Sequence, residues 1–355
     1  MRIVINDIAA SAGGALSILK NFYDSLLKTD LSKGNEWIFL LSDNYIEETD
    51  NIKVIVLDNI KKNWINRLKF DFYEGKKIIS QLNPDVVFSL QNTIIYGLKV
   101  PQILYMHQSI PFQTTKNFSF FKSEERILAV YQKLIGFLIK DSVKKADTVI
   151  VQTKWIKEAV INITNINPEK IQNIFPSLNN MDQYNKNSIF CKNNFFYPAN
   201  YSVYKNHKCI FDACSILKDS GVSKYNIELT INQKISEENI SCLGQISFEE
   251  VSKRYSTSTL IFPSYIETVG LPLIEASYMG SIILVADCPY SREALAEYEN
   301  AYFFNPFNPK ELAELMEKVL TGEIKKKKIL KKKMFVTDTW EEIIITLLNQ
   351  RTTKI

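Results

Sequence analysis

Short apolar runs alternate with longer helix-forming stretches along nearly the whole chain. The runs are residues 3–5, 37–41, 54–57, 86–90, 103–106 and 149–151 in the first half, and 195–197, 227–231, 240–243, 260–262, 282–286 and 301–304 in the second. Helices are predicted at 15–27, 67–82, 124–146 and 154–161. Such runs are typical of strands buried on both faces, which form parallel sheets covered by helices. The alternation therefore predicts an α/β fold with one doubly wound sheet in each half.

The alternation stops once, near residue 178. A polar stretch follows from residue 179 to 194 before strands resume at residue 195. A chain of 355 residues is also too long for one ordinary domain, and the usual domain size predicts about two. We place a first domain at 1–178, a second at 179–335, and a final helical segment at 336–355.

Composition and residue counts exclude several classes of protein. Apolar residues at 46% and charged residues at 23% are ordinary for a soluble globular protein. The five cysteines show no C-x-x-C spacing, which argues against a disulfide framework or zinc site and fits a reducing compartment. The chain opens on a buried strand, and no apolar run reaches about 18 residues. We expect a cytoplasmic protein that is neither exported nor membrane-spanning.

The lysines are spread along the chain except for a cluster at 325–328 and 331–333. The net charge is only +4, and no nucleic-acid-binding motif accompanies the cluster, so nucleic acid is not an expected partner. Two interpretations remain open for the cluster. It is either a solvated helix or linker, or a peripheral contact with an anionic inner membrane surface.

Polar and Gly-rich residues follow several predicted strands at the same end of the sheets. Gly13, His107, Lys205 and Glu267 each lie in a loop directly after a strand. In open parallel sheets ligands bind beyond the carboxyl ends of the strands. Because core packing gives no reason for such residues to recur there, the convergence predicts an enzyme with one binding crevice.

Two carboxylates flank a Gly-Leu-Pro turn in the segment from Glu267 to Glu275. A strand precedes the turn, and Pro272 marks the start of a helix, where free N–H groups and the helix dipole attract an anion. A diphosphate would suit this place. Helical side chains lean toward the N-terminus, so Glu275 is within reach of a ribose held beside that diphosphate.

In these residues the sequence resembles glycosyltransferase family 4, a group of retaining nucleotide-sugar glycosyltransferases with an E-x7-E signature that Glu267 and Glu275 reproduce. The resemblance extends over most of the chain, through residues 11–14, 105–107, 174–176, 303–306 and Trp340. It implies the GT-B fold, in which two Rossmann-like domains face each other across a cleft. It also implies that the last helix, predicted at 340–348, crosses back to the first domain.

The resemblance implies roles for single residues. It gives His107 a contact with the donor sugar near the reacting carbon, and Glu267 the sugar hydroxyls and support of the reacting centre. We assign Glu275 the ribose hydroxyls. Lys205 would stabilise the donor diphosphate, and His107, Glu267 and Lys205 form the predicted catalytic set. The remaining predicted donor contacts are Gly13 and Gly14 in the first loop, Gly244 beside the base, and Thr268, Val269, Gly270 and Leu271 through the turn.

One position departs from the family pattern. Many members carry an Arg five residues before the Lys, where this chain has Asn200, which we also count among the predicted donor contacts. A helix dipole supplies only about 0.3 to 2 kcal/mol toward an anion, whereas micromolar affinity needs about 8 kcal/mol. Lys205 must therefore do more, or another cation must help. Lys208 is the nearest candidate, unless it is simply a solvated helix residue.

The expected reaction is transfer of a sugar from a nucleoside diphosphate sugar to a hydroxyl of a glycan or lipid-linked acceptor, with retention, in bacterial surface polysaccharide synthesis. No enzymic nucleophile is evident, so the leaving phosphate is expected to take the acceptor proton. Two histidines cannot make a three-histidine site and no Asp-x-Asp pair lies in a suitable loop, so neither a metal nor another cofactor is expected. The base of the donor stays open among uridine, guanosine, adenosine and cytidine.

Other functions and the acceptor contacts remain open. The alternatives are a GT-B nucleotide-sugar epimerase or phosphorylase, and a non-catalytic GT-B sugar-binding protein. Acceptor contacts are expected from residues 108–126. The aromatic residues of that segment are either core or a surface for a sugar chain or lipid, and they are Phe112, Phe118, Phe120 and Phe121.

Overall fold

The computed structural model describes residues 1–178, 181, 189–233, 235–328 and 339–350. The strands of the first sheet are β1 (Arg2–Asn6), β2 (Glu36–Leu41), β3 (Ile52–Val56), β4 (Val86–Ser89), β5 (Gln102–Met106), β6 (Thr148–Val151) and β7 (Ile171–Asn173). The second sheet contains β8 (Asn194–Tyr197), β9 (Asn226–Leu229), β10 (Ile240–Cys242), β11 (Thr259–Phe262), β12 (Ile283–Ala286) and β13 (Ala301–Phe304). All twelve predicted strands are present.

The strand order is that of two doubly wound sheets. The first runs β3-β2-β1-β4-β5-β6-β7 and the second β10-β9-β8-β11-β12-β13, and every pairing is parallel. Strand β1 shows why such a sheet forms, since Ile3 and Ile5 belong to the core on one face and Val4 to the core on the other. The predicted α/β class with two Rossmann-like domains is therefore confirmed.

Helices cover both sheets. They are α1 (Gly13–Lys28), α2 (Trp64–Lys69), α3 (Gly75–Gln81), α4 (Arg126–Val130), α5 (Gly136–Lys145), α6 (Lys154–Thr164), α7 (His207–Asp219), α8 (Phe248–Thr257), α9 (Leu271–Tyr278), α10 (Pro289–Ala294), α11 (Pro309–Thr321) and α12 (Thr339–Leu348). One strand, β7, was not predicted. Its three residues contain one buried apolar side chain, Ile171, which is too short a run to signal a strand.

The two long helices predicted at 67–82 and 124–146 each contain a π-helical segment, Phe70–Glu74 in one and Tyr131–Ile135 in the other. A glycine directly follows each segment. A Cβ on Gly75 would lie 2.7 Å from the Phe70 carbonyl oxygen, and one on Gly136 would lie 3.1 Å from that of Tyr131. The wider turn brings the Phe70 carbonyl too close for a side chain at residue 75 and the Tyr131 carbonyl into tight contact at residue 136, which favours glycine at both places.

Helix α12 packs on the first sheet. The Trp340 ring lies 5.4 Å from the Phe22 ring and 5.4 Å from the Tyr105 ring. Ile344 and Leu347 belong to the same core. The prediction that the last helix crosses back to the first domain is therefore confirmed. The boundaries at 178 and 335 adjoin or fall within stretches outside the described residues and stay predictions, as does the role of the lysines from 329 onward.

The segment that follows β5 joins the two domains. Ile110 and Phe118 belong to the hydrophobic core of the second domain, and the Phe118 ring lies 6.4 Å from that of Tyr265. Phe112 is also buried, whereas Phe121 is almost fully exposed. The core interpretation therefore holds for Phe112 and Phe118, and a surface for a sugar chain or lipid at Phe121 stays a prediction. Among the described helices, none is long and apolar enough to cross a bilayer, and the five cysteines are free thiols.

Candidate active site

The loop after β1 leaves the start of α1 open. Gly13 has φ +60° and is the first residue of the helix, and both Gly13 and Gly14 are exposed. No other atom lies within 4 Å of the position that a Cβ would occupy at either glycine. Ala12, which precedes the helix, provides no side-chain cap. The first N–H groups of α1 are thus accessible to a ligand.

His107 is held by Asn92, a residue that the sequence analysis missed. The Asn92 side-chain oxygen accepts hydrogen bonds from the backbone N–H groups of His107, at 2.9 Å, and Gln108, at 3.1 Å. Its amide nitrogen therefore faces His107 Nε2, at 3.1 Å. Because that amide nitrogen can only donate, Nε2 accepts and the neutral ring carries its proton on Nδ1.

The other ring nitrogen of His107 is unsatisfied. Nδ1 is buried and has no hydrogen-bond partner among the described residues. Burial lowers the pKa of His107 to about 4, so the ring is neutral at pH 7. A neutral N–H donor without a partner is therefore available at the carboxyl end of β5.

Lys205 and Glu267 form an ion pair. Lys205 Nζ lies 2.5 Å from Glu267 Oε1, and the two side chains are 16% and 15% exposed. The Lys205 loop is fixed by its neighbours. Tyr197 donates to the Lys205 carbonyl at 2.8 Å, and Asn206, at φ +59°, donates to the carbonyls of Pro263 and Pro306. The predicted cation and carboxylate are thus brought together on a rigid support.

The turn between Glu267 and Glu275 leads into α9. Gly270 has φ +75°, and a Cβ there would lie 3.1 Å from the Tyr290 ring, so both conformation and space require glycine. Within the part of the chain that the structure describes, no group accepts a hydrogen bond from the N–H of Val269, Gly270 or Leu271. This helix start presents unpaired donors, as the sequence predicted for a phosphate site.

Glu275 is more deeply placed than Glu267. It is 7% exposed, and Tyr255 of α8 donates to its Oε2 at 3.0 Å. Tyr255 was not predicted, because a tyrosine in an amphipathic helix is usually a core residue. Its hydroxyl fixes the carboxylate of Glu275 in one orientation.

The remaining predicted donor contacts lie in the loops after β8 and β10. Gly244 has φ +68°, and its Cβ would lie 2.6 Å from Asn232 Oδ1. Asn200 is exposed. Lys208 is exposed and pairs with Asp212 at 2.7 Å one turn along α7, which favours the solvated interpretation over a replacement for the family's Arg.

Thr268 connects the loops of the two domains. Its hydroxyl donates to the His107 carbonyl at 2.9 Å, and its own carbonyl accepts from Trp155 Nε1 at 2.8 Å and from Thr153 Oγ1 at 3.2 Å. Nearby, Glu293 of the second domain accepts from the first two N–H groups of α6, at 2.9 and 2.7 Å. These contacts bring His107 and Glu267 to the same cleft. Local sequence patterns do not predict contacts between domains, so the sequence analysis missed Thr153, Trp155 and Glu293.

Further buried polar atoms lie at the carboxyl ends of β1 and β4. Both amide atoms of Asn6, Asp7 Oδ2 and Gln91 Oε1 have no hydrogen-bond partner in the described structure. Burial raises the pKa of Asp7 to about 7, despite the nearby positive charges of Arg67 and Lys61. The first-domain side of the cleft thus holds polar groups that are largely uncharged.

A cavity of about 260 Å³ lies between the domains next to Glu267. Aromatic and polar residues of both domains line it, including Phe112, Gln113, Trp155, Asn162 and Tyr290. Among the described residues, no group of three His, Cys, Asp or Glu side chains is arranged to hold a metal ion.

The sequence is similar to those of known glycosyltransferases. Residues 185–334 match the family model described as glycosyl transferases group 1. The matched residues include Lys205, Gly244 and the segment from Glu267 to Glu275. Over 295 residues the chain is 24% identical to the O-antigen chain mannosyltransferase RfbU of Salmonella typhimurium. The alignment covers 75% of this chain and 81% of RfbU.

Solved structures extend the likeness to the whole fold. WaaG, a glycosyltransferase involved in lipopolysaccharide biosynthesis, superposes with a TM-score of 0.68 at 14% identity, over 98% of this chain and 99% of WaaG. Sucrose-phosphate synthase from Thermosynechococcus elongatus gives 0.66 at 14% identity, over 99% and 96%. Anabaena HepE, solved in complex with UDP-glucose, gives 0.61 at 13% identity, over 99% and 96%. The GT-B fold is confirmed, and the roles of single residues stay predictions.

Proposed function

We propose that the protein is a retaining family 4 glycosyltransferase that moves a sugar from a nucleoside diphosphate sugar to a hydroxyl of a glycan or lipid-linked acceptor, in the cytoplasm, during synthesis of a bacterial surface polysaccharide. The observation that carries this proposal is the ion pair of Lys205 and Glu267 at the start of α9. It joins a cation suited to a diphosphate with a carboxylate suited to sugar hydroxyls. The likeness to RfbU supports the sugar-transfer reaction and the class of pathway.

The charges that develop during transfer match the residues of the second domain. When the bond from the anomeric carbon to the diphosphate oxygen breaks, negative charge grows on the diphosphate and positive charge on the sugar ring. Lys205 and the unpaired N–H groups of Val269, Gly270 and Leu271 stabilise the former. Glu267, released from its ion pair by the incoming phosphate, binds sugar hydroxyls and supports the latter. Glu275 holds the ribose hydroxyls.

The first domain contributes neutral groups. The Nδ1–H of His107 donates a hydrogen bond to the donor sugar, and its charge stays constant because its pKa lies at about 4. The acceptor hydroxyl attacks from the face that the diphosphate leaves, and its proton passes to the departing phosphate oxygen. This route retains the anomeric configuration without an enzymic nucleophile, and the protein's own donors, rather than a metal ion, neutralise the diphosphate.

A thermal-shift screen tests the donor site. The purified chain is heated with UDP, GDP, ADP and CMP and with the matching sugar nucleotides. A ligand at 100 times its dissociation constant stabilises the protein by about 2.7 kcal/mol, so one base family should raise the melting temperature. The Lys205→Ala variant should lose the shift and Lys208→Ala should keep it. A chain that responds to none of these nucleotides contradicts the donor assignment and favours a non-catalytic protein.

Retention of configuration and independence of a metal ion are tested by separate measurements. NMR of the glycoside formed from an α-linked donor should show an α product, and a β product rules out retention. Transfer should continue in excess EDTA, and activity that returns only with added divalent metal contradicts the metal-independent route.

A further inference from the structure

Helix α6 has two faces with different surroundings. Ile156 and Val160 are fully buried in the core of the first domain. A second set of residues lines the cavity of about 260 Å³ between the domains, and its members are Trp155, Glu158, Ala159, Asn162 and Ile163. These positions recur every three or four residues, so they share one side of the helix. One side of α6 thus forms a wall of the cavity.

Hydrogen bonds fix the walls of this cavity in place. The Trp155 indole N–H donates to the Thr268 carbonyl at 2.8 Å, which holds the ring at the wall. Gln113 donates from Nε2 to the Lys116 carbonyl at 2.7 Å and accepts from the Lys116 N–H at 2.9 Å. These two bonds close the loop that contains residues 114 and 115, both of which line the cavity. The cavity is therefore preformed, as binding sites for small molecules usually are.

The cavity is aromatic inside and polar at its mouth. Phe112 and Tyr290 are buried in the inner wall. Thr114, Glu158 and Asn162 also line the cavity but are exposed, so they lie where it opens to solvent. The side chain of Asn162 bonds to no other residue that the structure describes. Its amide offers both donors and an acceptor to an occupant of the cavity.

Charge and polarity restrict the chemistry of an occupant. Among the described residues that line the cavity there is no Lys, Arg or His, whereas Glu158 and Glu267 are carboxylates that repel an anion. An alkyl chain would take the Asn162 amide and the Thr114 hydroxyl out of water without replacing their hydrogen bonds. The volume lies below the roughly 300–1,000 Å³ of typical small-molecule sites, so the cavity admits one ring and not a chain of them. The occupant must be small, uncharged and rich in hydroxyl groups.

We propose that this cavity is the subsite for one neutral sugar unit of the acceptor, with the ring against Phe112 and Trp155 and the hydroxyls on Thr114 and Asn162. Of the predicted donor residues only Glu267 lines the cavity, so a sugar held there lies next to the donor site and outside it. This role rests on the proposed function and narrows its acceptor to a glycan. The group that receives the donor sugar is then a sugar hydroxyl and not the phosphate end of a lipid.

Saturation-transfer NMR of the full chain tests the subsite, with and without the nucleotide that the thermal-shift screen identifies. The probes are the methyl glycosides of glucose, galactose, mannose and N-acetylglucosamine, and at least one should bind through its ring protons. Asn162→Ala should weaken that binding about fivefold, the effect of one lost hydrogen bond. Ala159→Phe, which places a ring in the cavity, should abolish it. The matched control is Lys157→Phe, which adds the same ring to α6 at a residue that does not line the cavity, and it should bind like the unchanged chain.

Four results overturn the subsite: no binding by any glycoside, full binding by both Asn162→Ala and Ala159→Phe, equal loss in Lys157→Phe, or hexanol or glucose 6-phosphate binding as tightly as the glycosides. A glycoside displaced by the sugar nucleotide but not by the free nucleotide would assign the cavity to the donor sugar and also overturn it.

The nucleotide thermal shift, measured on the same variants, separates this proposal from the proposed function. A chain that shifts with a nucleotide but binds no glycoside keeps the donor site and loses the subsite. A chain that binds a glycoside in the cavity but responds to no nucleotide contradicts the proposed function, and the acceptor role of the cavity fails with it.

Discussion

The polar groups on the two sides of the cleft differ in charge and in pairing. On the second-domain side, Lys205 and Glu267 are charged and pair with each other, and Glu275 accepts a bond from a buried tyrosine. On the first-domain side, His107 is kept neutral with an unpaired ring N–H, and Asn6 has two unpaired amide atoms. A charged diphosphate requires charged partners, whereas sugar hydroxyls are neutral. Under the proposed function, the diphosphate therefore lies on the second-domain side, and the first-domain side provides only uncharged partners for hydroxyls.

The unpaired polar atoms on the first-domain side also lower the stability of the fold. Buried polar atoms without partners destabilise a fold by about 1 to 3 kcal/mol each unless something binds them. The first-domain side holds several such atoms at the ends of β1 and β4. On the second-domain side, Lys205 and Glu267 pair with each other in the absence of a ligand. Substitutions on each side of the cleft therefore test whether the two sides differ in this way.

The largest expected effect concerns Asp7 on the neutral side. Its folded-state pKa is raised from 3.8 to about 7, so the folded chain holds a proton that the unfolded chain loses near pH 4. Its contribution is most favourable below the unfolded pKa and declines as the pH rises to about 7, by up to about 4 kcal/mol. Asp7→Asn, which is permanently neutral, should gain stability over the unchanged chain across that range and level off above it.

Urea unfolding followed by tryptophan fluorescence at a series of pH values measures this gain. Asp24→Asn, on the exposed side of α1, serves as the control and should show no such trend. A loss of stability in Asp7→Asn at pH 8 would mean that Asp7 is charged and paired, and the contrast between the two sides would fail.

The next effect concerns the charged side. Lys205→Ala should lower kcat/KM by about a hundredfold to a thousandfold, the usual cost of removing one donor from a developing anion. Lys208→Ala, which removes a cation three residues away that already pairs with Asp212, should change kcat/KM less than twofold. Similar losses in both variants would show that the site responds to overall positive charge and not to one placed lysine.

The sequence predicts the charged side better than the neutral one. Glu267 and Lys205 lie in loops after strands that are themselves easy to predict, such as Thr259–Phe262, buried at all four residues, and Glu275 lies in the helix that follows. Asn92 and Glu293 act through partners 15 and 138 or more residues away. Their roles arise only when distant segments meet. Neither the ion pair of Lys205 with Glu267 nor the raised pKa of Asp7 has a local signature.

A smaller effect is expected at His107. His107→Ala removes a neutral donor and should lower kcat about thirtyfold to a hundredfold while donor affinity, measured by calorimetry, changes little. Because burial holds the pKa of His107 at about 4, the activity of the unchanged chain should show no inflection near pH 6.5. An inflection there that disappears in His107→Ala would show that the ring titrates, and the neutral assignment would be wrong.

The smallest expected effect is at Thr268, where the two sides meet. Thr268→Val keeps the shape of the side chain and the bonds to the Thr268 carbonyl, but removes the hydroxyl that donates to the His107 carbonyl. Loss of one such bond costs about 1 kcal/mol, so kcat/KM should fall about fivefold. Thr257→Val, whose hydroxyl donates only within the end of α8, is the matched control and should be unchanged.

A double-variant cycle decides how Thr268 acts. If it serves to position His107, the effect of Thr268→Val should largely vanish in a His107→Ala background, because the group it positions is gone. If Thr268 instead binds the donor directly, as the sequence predicted, the two effects should multiply and donor affinity should fall with Thr268→Val alone. The first result would make Thr268 the residue that holds the neutral side in register with the charged side. The second would place it wholly on the charged side and leave the domain contacts to Thr153, Trp155 and Glu293.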